Sequence, residues 1–235
     1  MDFLSASSWA RTGRAARCFG IAFLGFVALA SEARAVARDG EGWQLLSEDR
    51  IARISSRPVP GTRLRELLII AILPVPAPRL MALIGDLDDY PAFMPSAEST
   101  RGLWRAGTSG RWHIVINPPF VDRRDYCVTV TISKLPGGRL ESRFALAEES
   151  CPPPERGRIR MTRLEGRWTL TPLRDGSTEV AYQAITDPAG AIPIWLVNRS
   201  AGSSIRDMLR ALVRAAPDTQ LAPCPGRSLG CFASP

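Results

Sequence analysis

A chain of 235 residues that is 45% hydrophobic carries enough apolar material for one well-buried core, and its length allows one domain or at most two. The net charge of +7 comes from arginines scattered singly among acids, with Lys134 the only lysine, so no basic run interleaved with aromatics marks it for nucleic acid. A single histidine, His113, and five cysteines without a CxxC pair leave no metal-ligand set.

At the N-terminus, Arg11, Arg14 and Arg17 precede an apolar run over 19–30, and Ala33-Arg34-Ala35 offers a small-x-small cleavage site. These three parts read as a secretory signal peptide over 1–35, with a run too short to span a bilayer comfortably. Cys18 precedes the run, so no lipid-anchored cysteine follows it. Cleavage would remove four arginines and two acids, lowering the net charge from +7 to +5. The expected product is a periplasmic protein with a domain over 36–217 and a tail over 218–235 containing Pro, Gly and Cys.

The mature chain opens with a short helix expected over 43–49. Strands follow over 51–59 and 64–73, parted by Pro60-Gly61; the second, RELLIIAIL, is apolar on both faces and predicts burial on each side. Leu80, Leu83 and Ile84 give a helix over 79–87, and 88–95 reads as a compact aromatic turn. Further strands are expected near 100–106, 111–117, 123–135, 139–147, 158–172 and 177–187. Pro136-Gly137-Gly138 and Asp175-Gly176 mark turns between them. A final helix over 193–215 carries Ile205, Met208, Leu209, Leu212 and Val213 on one side and Arg206, Arg210 and Arg214 along another.

Four cysteines remain after cleavage, an even number in an exported chain, and allow three pairings. Their positions favour Cys127–Cys151 and Cys224–Cys231, against the plainer alternative of buried thiols.

Alternation along 123–135 puts Arg124, Tyr126, Val128, Val130 and Ile132 on one face and Asp125, Cys127, Thr129 and Thr131 on the other. The first face is the more apolar and should look inward. It therefore carries Arg124 inside, where a guanidinium needs partners. Arg124 is either an anchor for a polar or anionic head group or half of an ion pair with Asp122 or Asp187. Trp112, Phe144, Trp168 and Tyr182 fall on inward faces, as pocket wall or as plain core. His113, between Trp112 and Ile114, should point outward as a spectator. With one histidine and no GxSxG, no catalytic constellation is present, and no cofactor is expected.

Several segments resemble START-type lipid-binding domains of the Bet v 1-like helix-grip group: GWQL (42–45), SRPVPGT (56–62), DDYPAFMP (88–95), NPPFVDRRD (117–125), GRWTLTP (166–172), GSTEVAY (176–182), DPAG (187–190) and IPIWLVN (192–198). The likeness covers roughly 41–216. It implies an α+β fold with a curved antiparallel sheet wrapped around the C-terminal helix and a cavity between them. It implies a ligand site at Trp112, Arg124, Tyr126, Phe144, Trp168, Tyr182 and Met208, and a matching Arg124-Asp125 pair. The implied function is non-catalytic binding and transport of a lipid or sterol-like molecule by a monomer in transient contact with a membrane. The alternatives are a polyketide cyclase or aromatase of the same fold and an envelope adaptor with a vestigial cavity. Loops 148–158 and 187–193 are candidates for a gate.

Overall fold

The computed structural model describes residues 42–119, 121–149, 151–192 and 194–216, with side chains in the last segment from residue 204 onward. Strands β1 (Gln44–Glu48), β2 (Ala52–Pro58) and β3 (Arg65–Leu73) are followed by helix α1 (Ala77–Gly85), a 3-10 turn (Leu87–Asp89) and the short α2 (Tyr90–Phe93). Then come β4 (Ala97–Ala106), β5 (Ser109–Ile116), β6 (Arg124–Lys134), β7 (Leu140–Leu146), β8 (Ile159–Arg160), β9 (Arg163–Pro172), β10 (Thr178–Asp187) and α3 (Ile194–Ala215). Among the described residues the strands form one curved sheet in the order β1-β2-β3-β10-β9-β7-β6-β5-β4, antiparallel throughout except for β8, which lies parallel to the start of β6. The class is α+β, as the sequence predicts.

Period-two alternation decides which face is the core. Trp168 and Leu170 of β9 and Val180 and Ala184 of β10 are buried, while Glu165 and Arg167 are exposed on the other side. The hairpin between these strands turns at Gly176, whose φ of 83° lies in the left-handed region, and Asp175 Oδ1 accepts the Ser177 N–H at 3.0 Å. Pro78 in the first turn of α1 suits a position with no intrahelical donor to lose. Leu80, Leu83 and Ile84 of α1 and Ile205, Leu209 and Leu212 of α3 supply the buried stripes that cover the inner face. No helix of the described residues is long and apolar enough to cross a membrane.

Three expectations are corrected. In place of the helix expected over 43–49, Gln44–Glu48 form the edge strand β1, because the open side of β2 supplies backbone partners and a bulge between Leu45 and Ser47 absorbs the broken alternation. Arg206 of α3 secures this edge, donating to Asp49 Oδ2 at 2.7 Å and Ser47 Oγ at 2.8 Å. β3 is fully covered on one face only; Ile72, on the other, is 57% exposed because no element of the described residues packs over the outside of the sheet there. The strand expected over 158–172 is two: Met161 N–H turns to the Asp125 carbonyl at 3.0 Å, so β8 serves β6 while β9 serves β7 and β10.

Cys127 and Cys151 form a disulfide. The proposed signal peptide, the tail and Cys224–Cys231 lie outside the described residues.

Gly166 lies opposite Phe144 on one side and Ala184 on the other. A Cβ at this position would strike the Gln183 carbonyl oxygen and the Phe144 ring, which lies over the bare backbone. Gly166→Ala is expected to destabilise the fold by about 1–3 kcal/mol, the usual range for overpacking. Urea denaturation checks this; an unchanged midpoint would show that the two strands separate without strain.

Candidate functional site

Between the inner face of the sheet and the helices lies a cavity of about 140 Å³. Its wall is built from Ile114, Tyr126, Val128, Val130, Ser142, Phe144, Leu164, Trp168 and Tyr182 on the strands, Ile84, Leu87, Tyr90 and Met94 around α1 and α2, and Met208 on α3. Successive inward positions of β6 supply Tyr126, Val128 and Val130, so strand periodicity alone aligns them. Tyr182 stands at the centre of an aromatic group: Phe144 stacks on it at 6.0 Å between centroids, and Trp168 tilts against it at 4.6 Å.

The polar groups of the wall are hydroxyls. Tyr90 donates to the Ile84 carbonyl at 2.7 Å, whereas Tyr126 and Tyr182 make no side-chain hydrogen bond to the described residues. Burial pushes the ionisation of all three phenols upward, Tyr182 to about 12 and the other two further. They are therefore neutral donors near pH 7. The wall contains no carboxylate, imidazole or cationic side chain among the described residues.

Of the seven residues marked in the sequence, five meet at this cavity: Tyr126, Phe144, Trp168, Tyr182 and Met208. Trp112 and Arg124 are placed elsewhere. Trp112 is buried beside the 3-10 turn, where its Nε1 donates to Asp88 Oδ1 at 3.1 Å and the Arg105 guanidinium covers its ring at 5.3 Å. It ties β5 to the segment that precedes α2.

Arg124 is 2% exposed, and its guanidinium is spent on backbone: Nε donates to the Pro188 carbonyl at 3.1 Å and Nη1 to that of Asp122. Its partners are carbonyls, not the carboxylates of Asp122 or Asp187. It fastens the start of β6 to the β10–α3 junction and does not line the cavity. Sequence reasoning passed over Tyr90 and Met94 as wall residues, although the aromatic density of 88–95 carried a signal.

The opposite face of β6 holds a second buried group. His113 does point away from Trp112 and Ile114, yet it is only 8% exposed. Its Nε2 meets Asp125 Oδ2 at 2.8 Å. Asp125, 1% exposed, also accepts from Arg160 Nε at 2.9 Å and Nη2 at 2.8 Å. Arg160 in turn donates to the Pro152 carbonyl at 2.9 Å. The disulfide joins the same strand to the same loop, so 151–160 is held by one covalent and one ionic tether.

The family model described as polyketide cyclase/dehydrase and lipid transport matches residues 73–213. An uncharacterised protein of Pseudomonas aeruginosa is 28% identical over 177 residues, 75% of this chain and 87% of its own. The crystal structure of a STAR-related lipid transfer protein fragment from Xanthomonas axonopodis is similar with a TM-score of 0.69 at 26% identity, covering 75% of this chain and 99% of that one. Human StAR-related lipid transfer protein 5 shares the fold with a TM-score of 0.69 at 16% identity, over 77% of this chain and 89% of that one.

Burial alone would raise the Asp125 carboxyl, but the hydrogen bonds from Arg160 and His113 outweigh it and hold the group below its ordinary 3.8. A depressed folded value means that this stabilisation is complete above the unfolded value and is lost as pH falls through the folded one. Thermal stability of the wild type is therefore expected to drop as pH is lowered below about 4. Asp125→Asn should be less stable at pH 7, by about 3 kcal/mol, and flatter in that acid window. Melting curves from pH 7 to pH 3 decide the matter; parallel wild-type and variant profiles would contradict it.

Proposed function

Because the chain belongs to the polyketide cyclase/dehydrase and lipid transport family, we propose that it binds a lipid or comparable hydrophobic molecule in the cavity and carries it unchanged. The observation that supports this reading is the chemistry of the wall, apolar and aromatic with hydroxyls as its polar groups. Apolar surface withdrawn from water into such a wall gains roughly 25 cal/mol per Å². The Tyr126 and Tyr182 hydroxyls would orient an oxygen-bearing end of the ligand. Proton-transfer catalysis needs a group that exchanges protons near the working pH, and phenols held in the neutral form do not supply one. Among the described residues of this wall the cyclase reading finds no carboxylate or imidazole.

The cavity of about 140 Å³ is smaller than the roughly 300–1,000 Å³ of typical small-molecule sites. Loading therefore requires the wall to part. Met94 and Met208 are unbranched side chains that repack readily. The junction leading into α3 contains Ala189 and Gly190 at φ of 56° and 75°, a sharp bend about which α3 would move. A monomeric carrier exported to the cell envelope, as residues 1–35 suggest, would collect its cargo in brief contact with a membrane. A fully packed interior would instead have favoured the adaptor.

The test is native mass spectrometry of residues 36–235 purified from the native host, followed by organic extraction. A stoichiometric lipid, released with its mass unchanged, is the expected result. An empty protein that also refuses fluorescent fatty-acid and sterol probes would sink the carrier reading, and a ligand returned with altered mass would favour the enzyme. Val128→Trp should lower probe uptake at least tenfold while leaving the circular dichroism spectrum intact. Tyr126→Phe and Tyr182→Phe should each weaken uptake by about three- to tenfold, the loss of one hydrogen bond.

A further inference from the structure

The outer face of the sheet carries an open trough of about 640 Å³ that crosses β3, β10, β9, β7 and β6. Its floor is low where Ala145 presents only a methyl group, and arginines stand around it. Strand register makes Arg143 of β7 the direct cross-strand partner of Arg167 of β9. Side chains opposed in this way have Cβ atoms about 5 Å apart, and two like charges so placed repel.

The nearby carboxylates offset this repulsion only on the Arg143 side. Glu66 is bound by Arg57 at 2.6 Å, Glu165 by Arg163 at 2.6 Å and Glu141 by Arg143 at 2.5 Å. Arg167 is left with the neutral amide oxygen of Gln183, at 3.1 and 2.7 Å from Nε and Nη2, and pairs with no carboxylate among the described residues. Nη1 of Arg167 and both terminal nitrogens of Arg143 make no hydrogen bond within the described residues. The result is two guanidiniums on adjacent strands beside a shallow depression, each with donors to spare.

We propose that this trough binds an oxyanion of the phosphoryl type, bridged between Arg143 and Arg167. A tetrahedral anion with several oxygens satisfies both forks at once, and its charge converts the repulsion of the pair into attraction to a common partner. The group comes either from a phospholipid head group at a membrane surface or from a soluble phosphate compound. The trough lies on the opposite side of the sheet from the cavity, so its role stands apart from what the cavity holds.

Two arms of one experiment test the site in the mature chain and in Arg143→Gln and Arg167→Gln. In the first, melting temperature is followed against inorganic phosphate and pyrophosphate at matched ionic strength. In the second, flotation is measured with phosphatidylcholine vesicles with and without phosphatidic acid.

A thermal shift in the wild type whose apparent Kd weakens at least tenfold in both variants supports a soluble ligand. Binding to phosphatidic acid vesicles that disappears in both variants supports a head group. Wild type and variants behaving alike in both arms overturns the proposal. Arg167→Gln breaks no ion pair and should fold; should Arg143→Gln, which leaves the buried Glu141 unpaired, not fold, Arg143→Lys and Arg167→Lys, which keep the charge and lose the fork, should weaken binding several-fold. Unchanged uptake of a fluorescent fatty acid by the variants shows that any loss is confined to the trough.

Discussion

One apolar face and three helices to cover it are the constraint from which this architecture follows. The nine strands along the main path of the sheet would span about 38 Å if laid flat at the usual strand spacing. A helix with its side chains is only about 10–12 Å wide. A flat sheet would leave the inner residues of β5, β6 and β10 in water. Curling the strands around α3, with α1 and α2 filling one side, buries Ile114, Val130 and Val180 together. A surface that curls around a cylinder does not meet it everywhere, and the remaining gap is the cavity that Tyr126, Tyr182 and Met208 line. Packing and ligand chemistry are two aspects of the same imperfect closure.

Strand β6 shows how much one strand can be asked to do. Its inward residues, Tyr126, Val128 and Val130, form cavity wall. Its outward residues near the start, Asp125 and Cys127, would ordinarily face water, but each is buried under the segment that leads into β8. Removing a carboxylate from water is unfavourable unless it is paired and hydrogen-bonded, and Arg160 and His113 meet that requirement. A buried charge, a disulfide and a two-residue parallel strand therefore act at one place, and together they set the position of a loop that has little apolar material of its own.

The parts of this arrangement that depend on local periodicity were legible in the sequence. Alternation over 123–135 and 163–172 assigns Tyr126 and Trp168 to the inner face, and helical spacing over 205–213 puts Met208 toward it. What the sequence left open depends on contacts between distant segments. Arg124 could be read as inward, but not as bound to the carbonyl of Pro188, because nothing local brings those residues together. His113 reads as an outward spectator for the same reason: its bond to Asp125, which Arg160 also holds, depends on pairing between separate strands. The seven residues of 43–49 are too few for either period to declare itself, and the free edge of β2 decided the outcome. The like-charged pair Arg143 and Arg167 becomes visible only once the β7–β9 register is known.

The seam between β3 and β10 has a consequence for how the chain acquires this structure. Tyr182 pairs with Ile69 and Gln183 with Leu68, joining segments more than a hundred residues apart. Contacts so distant in sequence close slowly, because the loss of chain entropy precedes the gain. Until β10 is in place, one edge of β3 has no neighbour, and its sequence RELLIIAIL is of the kind that templates pairing with other chains. Most of the polypeptide must therefore be made before its most adhesive strand is sealed, and the interval before sealing is when the chain is most exposed to aggregation.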